Sequence, residues 1–389
     1  MRARKELEIK GIYLAVTLLF LVFLLIPLCR LFFKSFENGG GLTLNNYREV
    51  LTGRGFLAAF GNSVRISVFC GLLSTLLAFL LAYTIHYSNL PGAFKRFIRR
   101  AAVIPMLLPT ITYGFAIIYS FGKQGLITKL FGRQLFDLYG FWGLLLGYLI
   151  YTLPVSFLLV SVTMEYIDKK FSVVSRIMGD KPWQTFVGTV ARPLSGTLAA
   201  SFVQCFFLCF TDYGIPASVG GRYEVVATVL YNEMLGSLPN FNRGSVVAVL
   251  MLVPSVITIA LLRCLEKYNI RYNRISPIEI RKNRLRDGLL GLASAAVLAV
   301  VLSVFAVIFL VPFVEEWPYK VSFTTGHLRS VLRDKSLLGV YRNSLLAAFM
   351  TAFLGAMTTY AAALSTARSH LPERGKRVIE NISLITNTI

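Results

Sequence analysis

Charge is scarce in this chain: 15% of its 389 residues are Asp, Glu, Lys or Arg, against about a quarter in a soluble protein. With apolar runs of about twenty residues and more, that shortfall excludes a soluble enzyme and a disordered chain. Cysteine is sparse as well. Cys29, Cys70, Cys205, Cys209 and Cys264 all lie in or beside apolar runs, which excludes a secreted disulfide scaffold. His86, His327 and His370 are the only histidines. None is spaced with Cys or a carboxylate as a metal site requires, so no metal and no cofactor is expected. No GxxxxGK[ST] loop is present to cradle a nucleotide. The chain is therefore expected to catalyse no reaction of its own, and any active transport must draw on an ion gradient or a partner. Acids are the scarcer charge, 19 against 40 Lys and Arg, a formal net charge of +21. The basic residues flank apolar spans, so the excess reads as membrane topology rather than nucleic-acid binding.

What is abundant is apolar sequence, 55% of the chain. Runs near 11–33, 63–88, 101–121, 141–163, 197–219, 246–264, 288–313 and 344–366 predict eight complete helices, with a ninth starting near Val378. The first follows Arg2, Arg4, Lys5 and Lys10, and no small-residue cleavage site follows it, so it reads as a retained helix. Alternate loops are basic: Lys95 to Arg100, Lys169 to Arg192, Lys267 to Arg286 and Arg368 to Arg377. The loops between them are poorer in Lys and Arg and carry Glu37, Glu49, Glu224, Glu233, Glu315 and Glu316. The N-terminus and the basic loops are accordingly expected in the cytoplasm, with the chain in the inner or plasma membrane.

Shifted by 281 positions, 42–108 lies on 323–389 without a gap, with 16 identities in 67 pairs. Asn62-Ser63 meets Asn343-Ser344, Leu90-Pro91 meets Leu371-Pro372, and Lys95-Arg96 meets Lys376-Arg377. The expected organisation is a six-helix unit over 1–275, a basic linker over 276–287 and the start of a second unit over 288–389. On this register the natural protein is expected to continue for roughly 165 residues, the rest of the second unit.

The segment from Met164 to Pro193 is far longer than a helix connection needs. Phe171, Val174, Ile177 and Met178 suit a short amphipathic helix, Gly179 ends it, and Lys181-Pro182-Trp183 starts another. Such a helix can lie on lipid or plug into a protein groove. The segment resembles the EAA loop of permease subunits of binding-protein-dependent ABC importers. That family's pattern is a Glu-Ala-Ala triplet, a glycine four residues after the second Ala, and a closing Ile-x-Leu-Pro. The triplet falls on Val173-Val174-Ser175, the glycine on Gly179 and the closing motif on Val190-Ala191-Arg192-Pro193. Asp168, Pro182-Trp183 and Pro193 also match, whereas the Glu, the second Ala and the Leu are replaced. The resemblance implies that Asp168, Phe171, Val173, Val174, Ser175, Gly179, Pro182, Trp183 and Pro193 form a docking loop for a cytoplasmic ATPase, and that an extracytoplasmic binding protein delivers the solute. Gly179 can equally be only a helix cap.

Asp212-Tyr213-Gly214-Ile215-Pro216, followed by Gly220-Gly221, is similar to permeases of the ferric-iron, thiamine and phosphonate type. The resemblance puts ferric iron first among substrates, then 2-aminoethylphosphonate or thiamine. Pro105 and Pro109 in the third helix and Pro154 in the fourth are expected to interrupt them, and broken helices can expose backbone to a pathway. Pro109, Pro154, Asp212, Tyr213 and Gly214 are thus candidates for the substrate path, with packing kinks and a capped helix end as the other reading. The expected fold is all-α, a polytopic membrane protein of tandem permease units. The alternative function is a secondary transporter driven by an ion gradient, for which Asp212 is the one acid within a span.

Overall fold

In a computed structural model, residues 2–266 and 283–367, with Gly375 and Lys376, are described. The first apolar run forms α1 (Arg2–Phe20) and α2 (Ile26–Phe36), joined in line by a wider helical turn at Leu21–Leu25. A hairpin of β1 (Glu37–Asn38) and β2 (Gly41–Leu42) leads to α3 (Asn45–Thr52) and the long α4 (Arg54–Tyr87). Then come α5 (Gly92–Ala101), α6 (Thr110–Phe121), α7 (Leu126–Phe131), α8 (Phe141–Glu165), α9 (Lys170–Ile177), α10 (Pro182–Phe186) and α11 (Arg192–Thr211). Next are α12 (Gly214–Val219), α13 (Val226–Leu235) and α14 (Phe241–Glu266). After 267–282 the chain resumes as α15 (Arg284–Leu310), the hairpin β3 (Val314–Glu316) and β4 (Lys320–Phe323), α16 (Gly326–Arg333) and α17 (Lys335–Ala367).

Among the described residues, seven helices are long and apolar enough to cross a membrane, and a bent pair makes an eighth. The expected ninth helix and most of the linker lie outside the described residues. As expected, Pro105 and Pro109 interrupt the third run: they leave an irregular stretch, and the segments 92–107 and 110–131 meet at 108°. Other expectations are corrected. The fifth run breaks after Thr211, because Asp212 is extended and α12 starts afresh at Gly214. Pro154 breaks nothing: α8 runs through it for 25 residues, with Pro154 buried. Residues 284–287, expected in the linker, already belong to α15.

The core lies where α4, α8 and α11 pack together. Ile66, Leu81, Tyr148, Leu153, Phe157 and Phe210 are wholly enclosed there. A seam of small polar side chains runs through this apolar packing. Ser74 Oγ meets Thr152 Oγ1 at 2.9 Å, Thr75 Oγ1 meets Ser201 Oγ at 3.3 Å, and Ser156 Oγ meets Ser201 Oγ at 2.5 Å. Where water is absent, such interhelical hydroxyl pairs contribute about 0.6–1.7 kcal/mol each.

A few elements recur at the 281-residue shift. Both ends of α3 and α16 are 281 residues apart, α4 and α17 start 281 apart, and a hairpin precedes each short helix. The helices that precede these elements pack crosswise. α15 packs on α4, α5 and α6, with Thr84 Oγ1 at 2.8 Å from Ser294 Oγ and the Phe305 ring against Tyr113. α1 instead packs on α17, where Val16 and Ala362 are buried together. α4 is half-covered by its neighbours, whereas the most apolar stretch of α17 has no buried residue.

Candidate functional site

Two places gather the residues singled out from sequence. The first is the α9–α10 segment, at the end of the bundle that also carries α5. Asp168 is buried and its Oδ1 accepts from the Lys170 amide at 3.0 Å, which caps the start of α9. At the other end Gly179 has φ +88°, a left-handed conformation. Its amide donates to the Arg176 carbonyl and the Asp180 amide to the Ser175 carbonyl, both at 3.1 Å, the bond pattern of a Schellman cap. Lys181 then caps α10 through the Gln184 side chain at 2.9 Å, with Pro182 in the first turn. Ser175 ties the two helices together: its hydroxyl donates to Asp180 at 2.6 Å and lies 2.9 Å from Thr185 Oγ1. Ser172 and Thr189 add a hydroxyl pair at 2.7 Å.

With its polar groups engaged internally, the unit turns its apolar side chains outward. Phe171, Val173 and Val174 are exposed, and Ile177, Met178 and Trp183 are each at least 70% exposed. Ile177 and Met178 belong on this face, and their helical spacing with Val174 in the sequence already signals it. Pro193, by contrast, is buried in the first turn of α11 and is no part of the exposed surface. The unit is rooted in the core. Phe186 stacks edge-on to Phe79 and Tyr83 of α4, and the Lys169 ammonium sits 5.7 Å from the centre of the Tyr87 ring. Burial holds the Lys169 ammonium below the ordinary lysine pKa. α10 is thus in contact with α4 and continuous with α11.

The second place is the meeting of the two broken helices. Pro109 precedes α6 in an extended conformation, and Thr110 at the helix start lies against Gly214 at the start of α12. The Asp212 carboxylate accepts from the Ile215 amide at 3.0 Å at the amino end of α12, with Thr110 and the Gly214 amide beside it. Tyr213 stacks on Tyr231 with ring centres 4.3 Å apart. Pro109, Asp212, Tyr213 and Gly214 come together here, while Pro154 stays inside unbroken α8. Sequence reasoning missed Thr110 and also Tyr113, whose hydroxyl donates to the Pro105 and Leu108 carbonyls and satisfies the irregular stretch. A threonine directly after a proline at a helix start was the available signal for Thr110. Among the described residues no group of His, Cys, Asp and Glu could hold a metal ion.

Residues 53–269 match the family described as "Binding-protein-dependent transport system inner membrane component". Over 253 residues the chain is 24% identical to the ferric transport system permease protein FbpB of Actinobacillus pleuropneumoniae, covering 64% of this chain and 36% of that protein. It is 24% identical over 248 residues to the putative ferric transport system permease protein FbpB 1 of Haemophilus influenzae, covering 62% and 39%. The chain thus spans little more than a third of the length of these two relatives. It is also 25% identical over 246 residues to the spermidine/putrescine transport system permease protein PotC of Escherichia coli K12, covering 61% and 87%. In fold, a chain of a bacterial ABC transporter involved in the import of the acidic polysaccharide alginate superposes with a TM-score of 0.56 at 12% identity, over 68% of this chain and 96% of that one.

Proposed function

The chain belongs to the family of binding-protein-dependent transport system inner membrane components, and from that membership we propose that it is the translocation subunit of an ABC importer whose α9–α10 unit receives the ATPase. The observation that carries this is the outward apolar face of Phe171, Val174, Ile177, Met178 and Trp183 on a unit rigidly rooted in α4 and α11. A surface helix that already satisfies its polar groups, yet leaves five large apolar side chains in the open, fits a groove on a partner. The partner is a cytoplasmic ABC ATPase, which acts as a dimer, and an extracytoplasmic solute-binding protein delivers the solute on the opposite side. In this reading the N-terminus and α9 face the cytoplasm of a cell with an inner or plasma membrane.

ATP-driven closure of the ATPase pair would move α9 and α10 as a lever. Phe186 would carry that motion into α4, and the continuous helical path from Pro182 to Thr211 would carry it into α11. The two units would then alternate between outward and inward openings. Residues 1–275 form the first unit and 288–389 open the second, supported by the element correspondence at 281 residues. Ferric iron is the first solute to test because two ferric permeases are among the relatives, with 2-aminoethylphosphonate and thiamine next. An ion-coupled carrier is disfavoured: Asp212, its one candidate acid, is engaged by the Ile215 amide within the fold.

The test is co-purification from the native membrane, with Gly179→Asp beside the wild type. Capture of an ABC ATPase by the wild type and its loss in the variant is the expected result. A variant that transports and retains the ATPase as the wild type does would refute the docking assignment.

A further inference from the structure

α5 does not share the direction of the spans. α6 runs antiparallel to α8, since Tyr113 meets Tyr151 and Ile117 meets Gly147. The turn of 108° between 92–107 and 110–131 therefore lays α5 across the spans, at the end of the bundle where Lys95 reaches the Ser88 carbonyl. Its sequence is two-faced. Ile98 and Ala101 are buried against the core, and Lys95 is turned inward. Arg96, Arg99 and Arg100 point outward, with Phe97 48% and Leu107 80% exposed beside them. α5 carries no acid. The nearest one along the packed neighbour α15, Asp287, is taken by Arg286 at 2.8 Å. Among the described residues none of the three arginines has a carboxylate partner.

We propose that α5 is an interfacial helix that binds the phosphate headgroup of an anionic phospholipid through Arg96, Arg99 and Arg100. Phe97 and Leu107 sit among the acyl chains. Three guanidinium groups within about one helical turn suit a phosphate, which takes paired N–H donors. The exposed aromatic and aliphatic side chains beside them select an amphiphile over a free anion. The headgroup would fix the height of α5 in the leaflet, and with it the start of the broken third span. The inference requires only that the chain is embedded in a membrane. It is independent of the transported solute and of the ATPase.

The experiment uses the full chain in nanodiscs of phosphatidylcholine with or without phosphatidylglycerol, followed by stepwise delipidation and native mass spectrometry. The wild type should retain phosphatidylglycerol in preference to phosphatidylcholine. Each arginine near an anionic surface is worth about fivefold in partition, so Arg96→Gln/Arg99→Gln/Arg100→Gln should lower that preference about a hundredfold and Arg100→Gln alone about fivefold. The single variant keeps the test decisive if the triple variant does not fold. Lys170→Gln/Arg176→Gln/Lys181→Gln, which removes the same charge from the α9–α10 unit, should keep the preference. Soluble glycerol phosphate should fail to compete. Equal loss in both triple variants, competition by glycerol phosphate, or no preference in the wild type overturns the proposal. So does loss of a co-purifying protein from the α5 variant while its lipid preference is intact.

Discussion

Gly214→Ala probes the meeting of the two broken helices with one methyl group. A Cβ at Gly214 would collide with Thr110 Oγ1 and would lie 2.7 Å from the Ile111 amide nitrogen and 3.1 Å from the Thr110 carbonyl carbon. Ordinary contact begins at 3.4 Å, so the backbone at Ile111 must retreat by about 0.7 Å. Rotating the Thr110 side chain removes only one of these contacts. α6 has to move as a whole, and it is held from behind by α8 and α15. Overpacking of this kind costs about 1–3 kcal/mol. The expected loss is therefore about 1–3 kcal/mol, read as a lower unfolding midpoint in detergent. Thr110→Ala in the same chain should not restore stability, because the Ile111 backbone contact persists. A Gly214→Ala protein within about 0.5 kcal/mol of wild type, or full rescue by Thr110→Ala, would refute the close approach of α6 and α12.

Three further outcomes are expected. Gly179→Val should fray the end of α9, because a β-branched residue resists φ +88°: the Gly179-site and Asp180 amides should exchange hydrogen about tenfold faster, whereas Gly179→Asn should stay near wild type. With native cysteines replaced, Val16→Cys and Ala362→Cys should be joined by a short bis-thiol reagent in intact membranes; absence of the product would rule out the packing of α1 on α17. A cysteine at Lys169 should be labelled only from the cytoplasmic side and one at Glu224 only from the opposite side, and the reversed pattern would overturn the orientation.

The local pieces were legible where one side-chain period or one special residue decides the backbone. The apolar spacing Val174, Ile177, Met178, the glycine and the Lys-Pro pair define α9 and α10 from sequence because each acts within a turn. The 281-residue shift shows a similar local order, since hairpin, short helix and long helix recur at that spacing. Apolar runs misled where they hid a break. Hydropathy across 101–121 and 197–219 records that the segments are enclosed, not that α6 and α12 start anew. The prolines carried mixed information. Pro105 and Pro109 end helical bonding because the chain turns there, while Pro154 is accommodated by the enclosing packing of α8. The close approach of Thr110 to Gly214 joins residues a hundred positions apart, and the crossed packing of α1 and α15 joins others still farther apart. No local pattern encodes either.

That crossed packing also orders the birth of the protein. α15 leaves the ribosome after α4, α5 and α6 are made, so its resting place exists before it arrives. α1 leaves first, yet the helix it packs on, α17, follows more than 300 residues later. Until then α1 lacks that partner, although its continuation α2 can already pack on α3 and α14. It tolerates the delay because its span, with that of α15, is among the two most apolar described, and only 6% of its most apolar stretch is buried even in the finished fold. The first helix of the chain is thus composed to be at home in the bilayer alone, and its pairing with α17 is a late event of synthesis.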